Sequence, residues 1–258
     1  MDLIALKKWQ AEGIHKYVDT SENIFVFLHG FGGSPYDVYP LAAALMELNQ
    51  TCLASVIVGQ SQMNWNDAAT SAEAILAHTK ILLDDAQRLK TQGKRLIVVG
   101  FSMGGALSVI HANQLAPDAI ILLAPYLGLK QGRWFLDHLA QPLSKICPLV
   151  PKMSEGRIAS RKGAKKYKSG SRWLSLPAVL ELQTIATMAQ QALPEVTCPI
   201  LWCHAPSDPV ADYAQVLSRI PSHAHQFKCH RSQHVLLFDH DSDLIVQQVL
   251  NFIQKIST

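Results

Sequence analysis

The stretch from Arg95 to Gly105, RLIVVGFSMGG, limits what this chain can fold into more than any other. Leu96, Ile97, Val98 and Val99 form an unbroken apolar run rich in β-branched residues. Such a run suits a strand buried on both faces, as in a parallel sheet. Gly100-Phe101-Ser102-Met103-Gly104 then matches G-x-S-x-G. A side chain held at a tight strand-to-helix turn crowds its neighbours two positions away on each side, and only residues without a Cβ fit there. A helix predicted from Met103 to about Ala116 begins just behind Ser102, so its positive end faces any anion formed at that serine. A glycine-rich strand-helix connection with an ordinary serine would use the same letters. The position between a predicted strand and a predicted helix favours the nucleophile reading.

The same rhythm runs through most of the chain. Ile14–Val18 reads as a short edge strand, Ile24–Leu28 as a clear buried one. The latter ends in His29-Gly30-Phe31-Gly32-Gly33-Ser34, where three glycines in four positions imply a sharp bend or a close approach. Pro35 opens a helix with Val38, Leu41, Leu45 and Leu48 on one stripe, and Cys52–Val58 is the next strand. A loop with Trp65 leads to a long helix carrying Ile75, Thr79, Leu82, Ala86 and Leu89, closed by Gly93. Ala119–Ala124 is another buried strand. After a break the pattern resumes with a strand at Pro199–His204, a helix around Asp212–Arg219, a strand at His225–His230 and a last helix at Asp241–Ile256. Leu244, Ile245, Val249, Phe252 and Ile253 should face inward from that helix. Strands alternating with helices predict a mostly parallel sheet with helices on both faces.

The rhythm fails between Pro125 and Leu193, which holds Trp134, Phe135, Trp173 and helical pieces but no convincing strand. We read residues 126–193 as a cap inserted over the carboxyl ends of the strands, where open α/β sheets bind ligands. Residues 1–125 and 194–258 then form one core domain. Within the cap, eight Lys or Arg between Lys152 and Arg172 face a single acid, Glu155. A solvated basic face is the preferred reading, and attraction of an anionic substrate or lipid surface the alternative.

Composition excludes several function classes. The 258 residues are 48% apolar and 17% charged, which does not suit disorder, and the net charge of +3 carries no nucleic-acid signal. Five cysteines without a C-x-x-C pair suggest reduced thiols, not a disulfide framework or zinc site, and fit the cytoplasm. No signal peptide or membrane-spanning run is expected. No metal or organic cofactor is implied, and the oligomeric state is left open.

Ser102, Asp208 and His234 each follow a predicted strand, so all three should gather at one edge of the sheet. Serine needs a base to act as a nucleophile, and the base needs a carboxylate to fix its tautomer and support its charged form. His223, His225, His230 and His240 are rival bases and Asp212 a rival acid. Asp208 could also serve as a turn former or helix cap.

The order Ser, Asp, His and three motifs resemble the α/β-hydrolases, most closely bacterial carboxylesterases and monoacylglycerol lipases. His29-Gly30-Phe31-Gly32-Gly33 resembles that group's oxyanion segment, and Gly100–Gly105 its nucleophile turn. Ser232-Gln233-His234-Val235 followed by Phe238-Asp239 resembles its histidine loop, and the S-x-H match singles out His234. The chain departs from the pattern at Gln233, usually glycine, and at Gly59-Gln60-Ser61, often G-H-G. The resemblance implies an α/β-hydrolase fold with a helical cap. It also implies a serine ester hydrolase in which Ser102, His234 and Asp208 are catalytic. Backbone N–H groups of Phe31 and Met103 would form the oxyanion hole, with Trp65, Trp134 and Phe135 among the substrate contacts. The substrate would be a small ester with an apolar acyl chain. A thioesterase, lysophospholipase or acyltransferase could use the same residues, and a hydrolase-fold binding protein with little turnover is the reading from another class.

Overall fold

Strands with no polar face need cover on both sides, and this chain supplies it by alternating them with helices. In the computed structural model, which describes residues 13–58, 71–90, 93–130, 136–151, 157–167 and 173–256, the elements run as follows. An edge strand β1 (Ile14–Lys16) precedes β2 (Asn23–Leu28), a 3-10 turn (Pro35–Val38), α1 (Tyr39–Glu47) and β3 (Thr51–Ala54). Next come α2 (Ala72–Leu89), β4 (Arg95–Phe101), α3 (Met103–Leu115) and β5 (Ala119–Leu123). The segment before the following core strand holds a π-helical turn (Leu136–Ala140), α4 (Gln141–Ser144), β6 (Leu149–Pro151), α5 (Arg161–Lys166), β7 (Trp173–Ser175) and α6 (Leu176–Ala192). The chain then returns through β8 (Ile200–His204), α7 (Tyr213–Leu217), β9 (His225–Lys228) and α8 (Ser242–Lys255).

The main sheet has seven strands in the order β1-β3-β2-β4-β5-β8-β9. All its pairings are parallel except that of β1 with β3. Alternate side chains divide the core into two layers. Ile24, Val26, Leu28, Val98 and Ile120 pack against Ile75 and Leu83 of α2, Leu107 of α3 and Ile185 of α6. Phe25, Phe27, Ile97, Val99 and Ile121 meet Leu41 and Leu45 of α1 and Ile245, Val249 and Phe252 of α8 on the opposite face. Each fully buried side chain of this size contributes about 1.5–3 kcal/mol.

Several local expectations need correction. β3 ends at Ala54 instead of reaching Val58. Beyond it the Ile57 N–H goes to His29 Nε2 and not to a neighbouring strand. β9 ends at Lys228, so His230 is not on the strand. The Arg231 N–H turns instead to the Asp241 carboxylate at 2.9 Å. Leu48 and Leu244 are exposed at helix ends, and Leu83 takes the buried position on α2 expected of Leu82. The region expected to lack strands contains β6 and β7, a three-residue antiparallel pair.

The strand order places the site. From β2 the chain goes to β3 on one side and then to β4 on the other, so the connections after β2 and β4 leave the sheet in opposite directions. Crevices at the carboxyl ends of such a reversal are where open α/β sheets bind ligands. Leu28 pairs with Gly100 there, setting the loop from His29 beside the turn at Ser102.

Candidate active site

Ser102 sits between β4 and α3 with φ 53° and ψ −114°, a backbone conformation that costs a non-glycine residue about 1–3 kcal/mol. The flanking glycines make it possible. A Cβ on Gly100 would lie 2.3 Å from the Gly104 carbonyl oxygen, and one on Gly104 would lie 2.0 Å from the Leu28 carbonyl oxygen. Ser102 occupies the N-cap position of α3, yet its side chain caps nothing. Its Oγ points instead to His234 Nε2, 3.0 Å away.

His234 lies on the loop after β9, and its Nδ1 is 2.8 Å from Asp208 Oδ2. Asp208 stands on the turn after β8, where its own N–H bonds the Ala205 carbonyl at 3.0 Å. Its Oδ1 accepts from Val210 N (2.7 Å) and Ala211 N (3.0 Å), which fixes the carboxylate plane. Ser102, His234 and Asp208 therefore form one buried hydrogen-bonded line across three loops.

That line is braced from both sides. Asp239, buried, accepts four backbone N–H bonds at 2.8–2.9 Å, from Gln233 and His240 in the histidine loop and from Ala159 and Ser160 in the segment before α5. The Val235 N–H donates to the Arg157 carbonyl at 3.0 Å, a second tie between the same segments. In the loop after β2, His29 Nε2 accepts from Ile57 N at 2.9 Å, which leaves Nδ1–H to donate to the Gly30 carbonyl, also at 2.9 Å. Asp37 Oδ2 accepts from Gly30 N at 3.1 Å, while its Oδ1 takes the Tyr167 hydroxyl at 2.9 Å.

Burial lowers the pKa of His234, against the opposing pull of the Asp208 charge and hydrogen bond; the Arg157 charge adds to the lowering. Burial would raise that of Asp208, but the charge of His234 and hydrogen bonds from His204 and His234 outweigh it and hold the carboxyl well below its usual range. A neutral imidazole facing a serine hydroxyl, backed by an ionised carboxylate, can take the hydroxyl proton.

Residues 19–241 match the model of the Hydrolase_4 family, described as serine aminopeptidase, S33. The chain belongs to the Hydrolase_4 family. Among solved structures, a metagenome-derived lipolytic enzyme described with LipS and LipT is similar with TM-score 0.80 and 24% identity, covering 95% of this chain and 98% of that one. A soluble variant of the monoglyceride lipase of Saccharomyces cerevisiae, bound to a substrate analogue, is similar with TM-score 0.78, 13% identity and coverage of 95% and 90%. The monoacylglycerol lipase of Paleococcus ferrophilus follows at TM-score 0.73 and 16% identity, with coverage of 94% and 98%. Comparison with curated proteins gives no match. At these identities the neighbours show the fold, an α/β-hydrolase with a mostly parallel sheet flanked by helices.

In this Hydrolase_4 chain Phe31 is half-buried beside the first core layer, and Met103 is fully buried at the first turn of α3, where backbone N–H groups have no partner within the helix. Trp65, Trp134 and Phe135 lie outside the described residues, as does Gly59-Gln60-Ser61. Gln233 does not have the positive φ that would require glycine, and its N–H binds Asp239. Of the rival groups, Asp212 caps α7 through Ala214 N and Gln215 N. Arg161, Lys162, Lys165 and Lys166 are exposed, as a solvated basic face requires, whereas Arg157 is half-buried and its Nε has no hydrogen-bond partner. Asp37, Asp239 and Tyr167 were not singled out by sequence reasoning. Asp37 lies eight positions after His29 and Asp239 falls within the histidine-loop motif, but only the folded loops reveal what they hold. Among the described residues no helix is long and apolar enough to cross a membrane, and no group of His, Cys, Asp or Glu could hold a metal ion.

Proposed function

We propose that this protein is a serine hydrolase of carboxylic esters. The observation that carries the reading is the hydrogen-bonded line from Ser102 through His234 to Asp208, at the positive end of α3 and beside the loop from His29. His234 Nε2 takes the proton as Ser102 Oγ attacks the ester carbonyl. Asp208 holds Nδ1–H and supports the imidazolium. The N–H groups of Phe31 and Met103 stabilise the oxyanion, each donor contributing about 3 kcal/mol. Collapse of the tetrahedral intermediate breaks the C–O bond, and the proton on His234 passes to the departing alkoxide. Water deprotonated by His234 then attacks the acyl-enzyme, and the acid leaves as Ser102 recovers its proton.

The substrate in this reading is a small ester with an apolar acyl chain, as the lipase and monoacylglycerol-lipase neighbours suggest. Within residues 126–193, the part ahead of α6 acts as the cap that selects it, while α6 itself belongs to the core layer on α3. Two features support a cap. The segment from Arg157 to Tyr167 bonds the histidine loop and Asp37, and α6 roots the other end by packing on α3. The five unpaired cysteines suit a cytoplasmic location.

The test is labelling by a fluorophosphonate probe together with turnover of p-nitrophenyl esters of graded chain length. Labelled wild type, unlabelled Ser102→Ala and a profile peaking at one acyl length are expected. The family description favours a second substrate class, amides, and aminoacyl p-nitroanilides belong in the same panel. Turnover of anilides above esters would overturn the ester reading while keeping the serine mechanism. Labelling with no turnover of any substrate would point to a binding protein.

A further inference from the structure

Asp208 Oδ2 receives two imidazoles, not one. Besides His234 Nδ1 at 2.8 Å, His204 Nε2 lies 3.1 Å from the same oxygen. His204 is the last residue of β8, and its own partners leave it one way to face the acid. The Trp202 indole N–H, which can only donate, points at His204 Nδ1 from 3.3 Å. Nδ1 must therefore accept, and the ring proton sits on Nε2, aimed at Asp208. Tyr213 packs edge-on against the His204 ring (5.4 Å between centroids, 67°) and stacks on Trp202 (5.1 Å, 26°), so both rings are backed by a third. His204 and Trp202 are both buried, as is Asp208.

We propose that His204 is a positioning residue for the reaction at Ser102, holding Asp208 in place for His234 through a Trp202–His204–Asp208 relay. The inference rests on the proposed serine mechanism. Counted by donors, Asp208 is fully engaged: Oδ1 by Val210 N and Ala211 N, Oδ2 by His204 and His234. If His204 is lost, Oδ2 keeps only the His234 bond. The carboxylate gains freedom to rotate away from the imidazole, and its negative charge is concentrated on the one remaining ring. Both the geometry of His234 and its affinity for a proton should change. The charged and titratable groups around this arrangement are Asp208, His234 and Tyr213, with Arg157 adding its charge to His234 from the segment before α5. The hydrogen bond from His204 also helps to keep Asp208 ionised.

The experiment compares wild type, His204→Phe and His204→Gln in p-nitrophenyl ester turnover from pH 5 to 9. Rates are normalised to folded protein by near-ultraviolet circular dichroism. Gln can place an amide N–H where Nε2 stands, whereas Phe fills the space with no donor. The expected result has two parts. In His204→Phe, kcat falls at least tenfold with little change in KM, and the acid limb of the pH profile moves to higher pH. In His204→Gln, most of kcat returns and the limb moves back toward wild type. If His204 were only a core side chain, Phe would lower the unfolding midpoint while kcat per folded molecule and the acid limb stayed at wild-type values. That result, or a Gln variant no better than a folded Phe variant, overturns the proposal. Should Phe fail to fold, the Gln variant and His204→Asn, whose amide cannot reach Asp208, decide it by the same two readouts. Wild type is measured first. If wild type neither labels with fluorophosphonate nor turns over ester, the serine mechanism fails and this inference fails with it. If wild type is active and the variants match it, only the role of His204 is refuted.

Discussion

Replacing Asp239 by Asn tests whether one buried carboxylate joins the histidine loop to the segment before α5. The residue is 7% exposed, and its carboxylate accepts from Ala159 N and Gln233 N on Oδ2, at 2.8 Å each, and from Ser160 N (2.8 Å) and His240 N (2.9 Å) on Oδ1. Asn is nearly isosteric, but one of its two polar atoms is a donor. Whichever way the amide is turned, two backbone N–H groups face an NH2 and lose their acceptor. Leaving a buried donor unsatisfied costs about 1–3 kcal/mol, and the two surviving bonds weaken because their acceptor is no longer charged. The expected destabilisation is about 2–6 kcal/mol for the two lost bonds, read as a lower urea midpoint at unchanged slope. Each side also contributes one bond to each segment, so neither orientation spares the histidine loop. Gln233 or His240 is released with Ala159 or Ser160, and ester turnover should fall with stability. A loss below about 0.5 kcal/mol with unchanged turnover would refute the reasoning, because it would mean that water already replaces those bonds.

Ser102→Ala should reduce ester turnover by at least about 10³-fold without lowering the thermal midpoint by more than a degree or two, since the Oγ caps no helix N–H. The rate of acylation should fall with acid through one titration lying below the ordinary histidine value of 6.5, because burial disfavours the imidazolium of His234. Removing the nearby positive charge in Arg157→Met should move that limb to higher pH; a limb that stays in place or moves down would contradict the assignment. Gly104→Ala should give little folded protein, because its Cβ would meet the Leu28 carbonyl oxygen at 2.0 Å, and backbone cannot move aside cheaply. His111, bonded to Thr79 Oγ1 at 3.0 Å, is pushed by burial down to about 4. The unfolded chain then binds more protons between pH 6.5 and 4, so stability falls on acidification in that window. His111→Gln should flatten the pH dependence of the thermal midpoint over that range.

The apolar runs Ile24–Leu28, Leu96–Val99 and Ala119–Leu123 carry their own strand assignment, because burial on both faces leaves no room for polar residues. The glycines at 100 and 104 carry theirs too, since the contacts that exclude a Cβ come from residues within a few positions or from the paired strand. Boundaries were less legible. Three positions beyond the ends of β3 and β9 a side chain, His29 or Asp241, takes a backbone N–H, and those contacts are not local. Leu48 and Leu244 fit the apolar period yet stand outside, because helix ends turn away from the core.

Order along the chain was enough to bring Ser102, Asp208 and His234 to one edge of the sheet, because a parallel sheet sends every strand's carboxyl end to the same side. Sequence alone also allowed the choice of Ser102, whose neighbours must be glycine. It did not decide what braces the site. Asp37 meets Tyr167 across 130 positions, Asp239 meets Ala159 across 80, and His204 faces Asp208 with its ring packed against Trp202 and Tyr213. A hydrogen bond between distant loops depends on ångström-scale placement by the packed core. The pattern of apolar and polar residues specifies which side chains are inside, and the tertiary structure decides which of them touch.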